Sequence, residues 1–163
     1  MAKMQSRHGE TKMKAVEALV RLQAHLTREQ ADEVSARILE ILESSRGAPQ
    51  RSLMIRALGP LKSRLSVKPL TALVRDRTER NVHVKRRAMA TLLEIGDLDG
   101  VRAVVEALTD EDVYVRQGAA FLLAGLFGEE FGFDPRATAA QNKASLEKFR
   151  AAWVKKFGRA WDE

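Results

Sequence analysis

Residues 58–76, LGPLKSRLSVKPLTALVRD, align without a gap on residues 92–110, LLEIGDLDGVRAVVEALTD, 34 positions later. A second gapless alignment places 82–96, VHVKRRAMATLLEIG, on 113–127, VYVRQGAAFLLAGLF, at an offset of 31. The offsets differ because Asp110 precedes Val113 by three positions whereas Asp76 precedes Val82 by six, so one turn is three residues longer. Within each unit the apolar residues recur at helical spacing. A helical period of 31–34 residues describes stacked helix pairs, each of which buries its faces only against its neighbours. The expected fold is therefore all-α, an α-solenoid (superhelix) of about four antiparallel helix pairs closed by a C-terminal capping helix.

Composition bears on what such a chain excludes. Apolar residues make up 45 % of the 163 positions and aromatics 6 %, with little period-two alternation of the kind strands require. There is no cysteine, which rules out disulfides, thiolate metal ligands and a cysteine nucleophile. No apolar run approaches the 18 residues or so that a membrane span needs. The opening MAKMQSRHGETKMK has charges but lacks the apolar centre of a secretory signal, so a cytoplasmic location is expected.

Along the chain, residues 1–10 read as a disordered lead, 11–127 as the repeats, and 128–163 as a loop and capping helix. The first pair spans Lys12–His25, with Val16, Leu19, Val20 and Leu26 on one face, and Glu29–Glu43, with Val34, Ile38, Ile41 and Leu42 in register. The second pair runs from Pro49 to Leu58, where Gly59-Pro60 is expected to stop it, and from Ser66, a cap, to Val74. The third comprises Val82–Ile95 and Leu98–Leu108 around Gly96. The fourth unit opens at the N-cap Asp112 and runs to about Phe127. Thr138 to Gln141 has capping-box spacing and is expected to open the last helix, which carries Leu146, Phe149, Trp153, Val154 and Phe157 on one side and ends at Gly158.

ALGPLKSRLSVKPLTALVRD and DEDVYVRQGAAFLLAGL resemble HEAT repeats, in particular the short variety of about 30 residues also found in phycobilisome lyases. The likeness rests on Val115-Arg116 followed by Ala119-Ala120, on Asp76 and Asp110 ending units, and on Gly96-Asp97 between helices. It covers roughly 12–127. The tail FGFDPRATAAQNKASLEKFRAAW is similar to the aromatic-rich end of many bacterial HEAT-repeat proteins. This resemblance implies a binding scaffold rather than an enzyme. It also implies that Arg51, Lys85 and Arg116, which fall at equivalent positions, form with Asp76 and Asp110 a structural ladder between stacked units. The second helices, which carry Lys68, Arg75 and Arg102, would line a concave face of mixed sign.

The chain carries a net charge of +6, and residues 46–87 hold twelve basic and two acidic groups. Arg75, Arg77, Arg80, Arg86 and Arg87 crowd around the long turn and the helix after it. Arg86 and Arg87 correspond to Gln117 and Gly118 in the next unit, so the repeat itself does not demand their charge. Together with Lys68 and Arg102 these are the candidate partner-binding residues. The leading partner is another protein with an acidic surface, and nucleic acid is the alternative. His8, His25 and His83 are scattered, and position 12 counted from Asp97 is Leu108 rather than a calcium-binding glutamate. No nucleotide-binding or nucleophile motif occurs, so no catalytic residue, metal, cofactor or small-molecule ligand is assigned.

Overall fold

Of the caps read from the sequence, Asp112 opens a helix and Gly96 and Gly158 end helices as expected. A computed structural model describes Lys14, Ala18, Arg21 and residues 25–160; the expected lead, most of the expected first helix and Trp161 lie outside the described residues. Among the described residues there are helices, turns and no strand. Seven α-helices have defined bounds: α1 Arg28–Ser44, α2 Ala48–Leu61, α3 Val67–Arg75, α4 Val82–Ile95, α5 Leu98–Glu106, α6 Val113–Phe127 and α7 Lys143–Phe157. None is long and apolar enough to cross a membrane.

Thr27 opens α1 with a complete capping box: the Gln30 N–H donates to the threonine hydroxyl (3.3 Å) and the Thr27 N–H donates to the Gln30 side chain (2.9 Å). Asn81 and Asp112 accept the Val84 and Tyr114 N–H groups at the starts of α4 and α6. At the other ends, Gly96, Gly128 and Gly158 take the left-handed conformation, with φ of 79°, 74° and 73°, that terminates α4, α6 and α7.

Three local expectations need correction. Gly59-Pro60 does not stop α2, which continues to Leu61. The proline removes one N–H in the final turn, and the usual clash between a proline ring and the preceding Cβ is absent because residue 59 is glycine. Burial of Ala57, Leu58, Gly59 and Leu61 holds that turn in place. Ser66 stands at the N-cap position of α3, as expected, but its side chain makes no capping bond. Ser63 instead caps a 3-10 turn, Arg64–Ser66, by accepting the Leu65 N–H, and that turn runs on into α3 with Ser66 buried within it. Finally, the Thr138–Gln141 box forms with both reciprocal bonds, but it closes a turn, and α7 begins only at Lys143.

The chain divides into two compact units, Met1–Val101 and Arg102–Glu163. In the first, α2 packs most extensively along α4, α3 also lies on α4, and α1 on α2. Ile55, Leu58, Leu70, Val84, Ala88, Met89 and Leu92 are fully buried there. Polar rungs cross this unit between residues about one repeat apart. Ser63 donates to Asp32 (2.5 Å, 31 residues away), the Arg64 Nε to Asp97 (2.8 Å, 33 away), and the Thr91 hydroxyl to the Ile55 carbonyl (3.1 Å, 36 away).

The second unit gathers its aromatics. Phe131 and Phe149 lie with ring centroids 4.1 Å apart, Trp153 sits 4.5 Å from Phe157, and Phe127 touches Phe131, Phe149 and Phe157. Phe149 and Trp153 are buried as expected of the capping helix. Leu146 is only half-buried, and Val154 is exposed because it lies one residue around the helix from the buried stripe of Ser145, Phe149 and Trp153.

Candidate functional site

The helix faces of the first unit that are left over from the core form a groove of about 670 Å3. On α1 the core takes Ser35 and Ile38, leaving Leu39, Leu42 and Glu43 at i, i+3, i+4 on the adjoining face. On α3 the core takes Leu70, Thr71 and Val74, leaving Pro69, Ala72 and Leu73 at the same spacing. The apolar members of these two faces make the floor. Arg46, Asp76 and Glu79 from the flanking turns, Arg51 from the first turn of α2 and Glu43 from α1 supply a rim of both signs. The sequence reading emphasised the charges of this region, put Leu42 in register with the core residue Ile38 and missed Leu39 and Leu73. The available signal was a second i, i+3, i+4 apolar face beside the core stripe.

Arg51, Glu79 and Asp76 of the rim are already engaged. Arg51 pairs with Glu79, whose carboxylate also accepts the Asn81 N–H (2.8 Å). The Asp76 carboxyl is held below its ordinary pKa, first by the Thr78 hydroxyl (2.7 Å) and then by the Thr78 N–H (2.8 Å), with the charge of Lys85 a smaller cause. The stabilisation linked to that shift is present above the ordinary carboxylate pKa and is lost as pH falls through the lowered folded value. Among the described residues, no group of three or more His, Asp or Glu is placed to hold a metal ion.

The ladder residues stand where the repeat places them, with partners other than simple Asp–Arg pairs. Arg51 reaches Glu79 rather than Asp76, which is occupied with its own turn. Lys85 is buried and contributes to the Asp76 shift. Arg116 bonds carbonyl oxygens, not the Asp110 carboxylate: its Nη1 donates to the Asp110 and Glu111 carbonyls (2.8 and 2.9 Å) and its Nε to the Pro135 carbonyl (2.7 Å). The Asp110 carboxylate instead accepts the Asp112 N–H (2.8 Å). Arg116→Ala is expected to lower stability by about 1–3 kcal/mol, since three turn carbonyls lose a charged donor. An unchanged denaturation midpoint would show that these bonds add nothing net.

The candidate partner-binding cations are carried by several elements, and none of them lines the groove. Lys68, Arg75, Arg77 and Arg80 are exposed on α3 and the turn after it, and Arg75 and Arg77 are not free cations. Arg86 and Arg87 are exposed on α4, away from the face carrying Val84, Ala88, Met89 and Leu92, and do not line the groove. Arg102, on α5 at the start of the second unit, is only half-exposed and its Nε is buried. Arg46, which the sequence reading did not single out, is the exposed cation on the groove's rim. No known protein family, curated protein or solved structure matches this chain.

Proposed function

We propose that the chain is a cytoplasmic HEAT-like scaffold, an α-solenoid of about four antiparallel helix pairs with a C-terminal cap, that binds another protein through the basic side of its first unit. The groove of about 670 Å3 carries this reading, because it combines an apolar floor with a charged rim on rigid helices. Polar rungs spaced about one repeat apart support the solenoid. Lys68, Arg80, Arg86 and Arg87 supply exposed positive charge, that of Arg86 and Arg87 beyond what the repeat needs, which favours an acidic partner surface.

Nucleic acid is the second reading, favoured by the twelve basic and two acidic groups of residues 46–87. A gel-shift titration with mixed-sequence duplex DNA and single-stranded RNA separates the two. Contacts to phosphate release counterions, so affinity falls by about 0.9 log unit per log unit of salt for each duplex contact. The expected result is weak binding at low salt that vanishes at physiological salt. Binding that persists there and is lost in Arg86→Glu/Arg87→Glu would replace the protein-scaffold reading with the nucleic-acid one. The scaffold reading further expects a partner recovered by affinity capture to be lost on Arg46→Glu/Leu73→Asp, with helical content unchanged.

A further inference from the structure

The outward face of α6, in the second unit, carries a tyrosine and a phenylalanine where the equivalent helix of the preceding repeat carries a histidine and an alanine. At the offset of 31, Tyr114 and Phe121 correspond to His83 and Ala90. The repeat therefore does not require either ring. Both are left in solvent, Tyr114 63 % exposed and Phe121 72 % exposed, seven residues apart and so on one side of the helix. Beside Phe121 lies a groove of about 320 Å3, walled on one side by Gln117, Ala120 and Ala124 of α6 and on the other by the loop Glu130–Phe133, with Phe149 at its base. A space of that size is at the low end for ligand pockets of about 300–1,000 Å3 and suits one or two large side chains.

The loop wall is held at three points. The Asn142 carboxamide pairs with the backbone of Asp134, accepting its N–H (2.9 Å) and donating to its carbonyl (2.7 Å). The Ser145 hydroxyl donates to the Gly132 carbonyl (3.0 Å), and Arg116 donates to the Pro135 carbonyl. The groove is thus formed before anything enters it, which lowers the ordering cost of binding. Its charge points to the occupant. Residues 110–134 hold six acidic groups, Asp110, Glu111, Asp112, Glu129, Glu130 and Asp134, against the single Arg116, a local excess of five negative charges in a chain whose net charge is +6. Carboxylates stand at both ends of the aromatic stripe, and Glu130 lines the groove itself.

We propose that this face is a docking site for a basic segment of another protein, with one large aliphatic or aromatic side chain seated beside Phe121 and flanking lysines or arginines meeting the carboxylates. It is separate from the groove of the first unit and selects a partner of opposite charge. The probe is a displayed library of random 12-residue peptides, selected on the full chain and counter-selected on Phe121→Asp, which changes an exposed residue and leaves the core untouched. The expected outcome is a family of net-positive peptides sharing one apolar anchor. Their affinity should fall at least tenfold in Phe121→Asp and in Glu129→Lys/Glu130→Lys, and should weaken between about 50 and 500 mM salt. Circular dichroism of both variants should match the parent. Acidic winners, winners indifferent to Phe121→Asp, or no enrichment would overturn the proposal. So would sedimentation showing a dimer of the parent that Phe121→Asp converts to monomer, which would make the face a self-association surface instead.

Discussion

Replacing Trp153 with alanine is expected to lower the unfolding free energy of the second unit by about 3–5 kcal/mol. The indole is 1 % exposed and stacks obliquely on Phe157 at 4.5 Å, in a unit whose buried core also holds Phe131 and Phe149 beside alanine, valine and leucine. Rings are stiff, so the neighbours cannot fold into the space the indole leaves, and the cavity term adds to the lost burial. Denaturant unfolding followed by circular dichroism measures the loss without relying on tryptophan emission. Because the chain comprises two compact units, the transition is to be fitted with separate midpoints if it is biphasic. A loss below about 1 kcal/mol would mean that α7 is an appendage rather than part of the core of the second unit.

In the first unit the largest expected loss is for Leu92→Ala, roughly 2–5 kcal/mol. Leu92 is fully buried on α4, and a methyl group placed on Gly100 would come within 3.0 Å of its Cδ2. That contact makes a second measurement possible. Gly100→Ala should be more favourable in the Leu92→Ala background than in the parent, because the added methyl enters the vacated space instead of pressing on the leucine. A double-mutant cycle reads the difference directly, and a coupling of zero would show that the two residues do not share packing space.

Leu92 lies on a helix whose bounds were legible in the sequence, whereas the start of the helix carrying Trp153 was not. The limits of α4 and α6 follow from Asn81, Asp112, Gly96 and Gly128, each acting on a backbone group no more than a few residues away. The apolar stripe of α4 could likewise be read off its spacing. The same locality explains where reading failed at close range. Gly59-Pro60 carries a strong stop signal that burial of the surrounding turn overrides, and the Thr138–Gln141 box forms its bonds without starting a helix. A local motif reports the geometry it favours, and packing decides whether that geometry begins or ends an element.

What the sequence alone determined is therefore the repeat, the all-helical class and most element boundaries, because the interactions that set them are short-range and periodic. Tertiary structure decided which charged groups meet, since a 28-residue separation says nothing about whether Arg51 finds Asp76 or Glu79. It gave Arg116 three bonds to carbonyls, one of them in the Pro135 loop, where the resemblance had implied only a ladder with Asp76 and Asp110. It also separated the groove floor of Leu39, Leu42 and Leu73 from the core stripe and left Phe121 in solvent while burying Phe149. All of these residues are apolar and helically spaced, and hydrophobicity alone cannot tell a face that meets another helix from one that meets water.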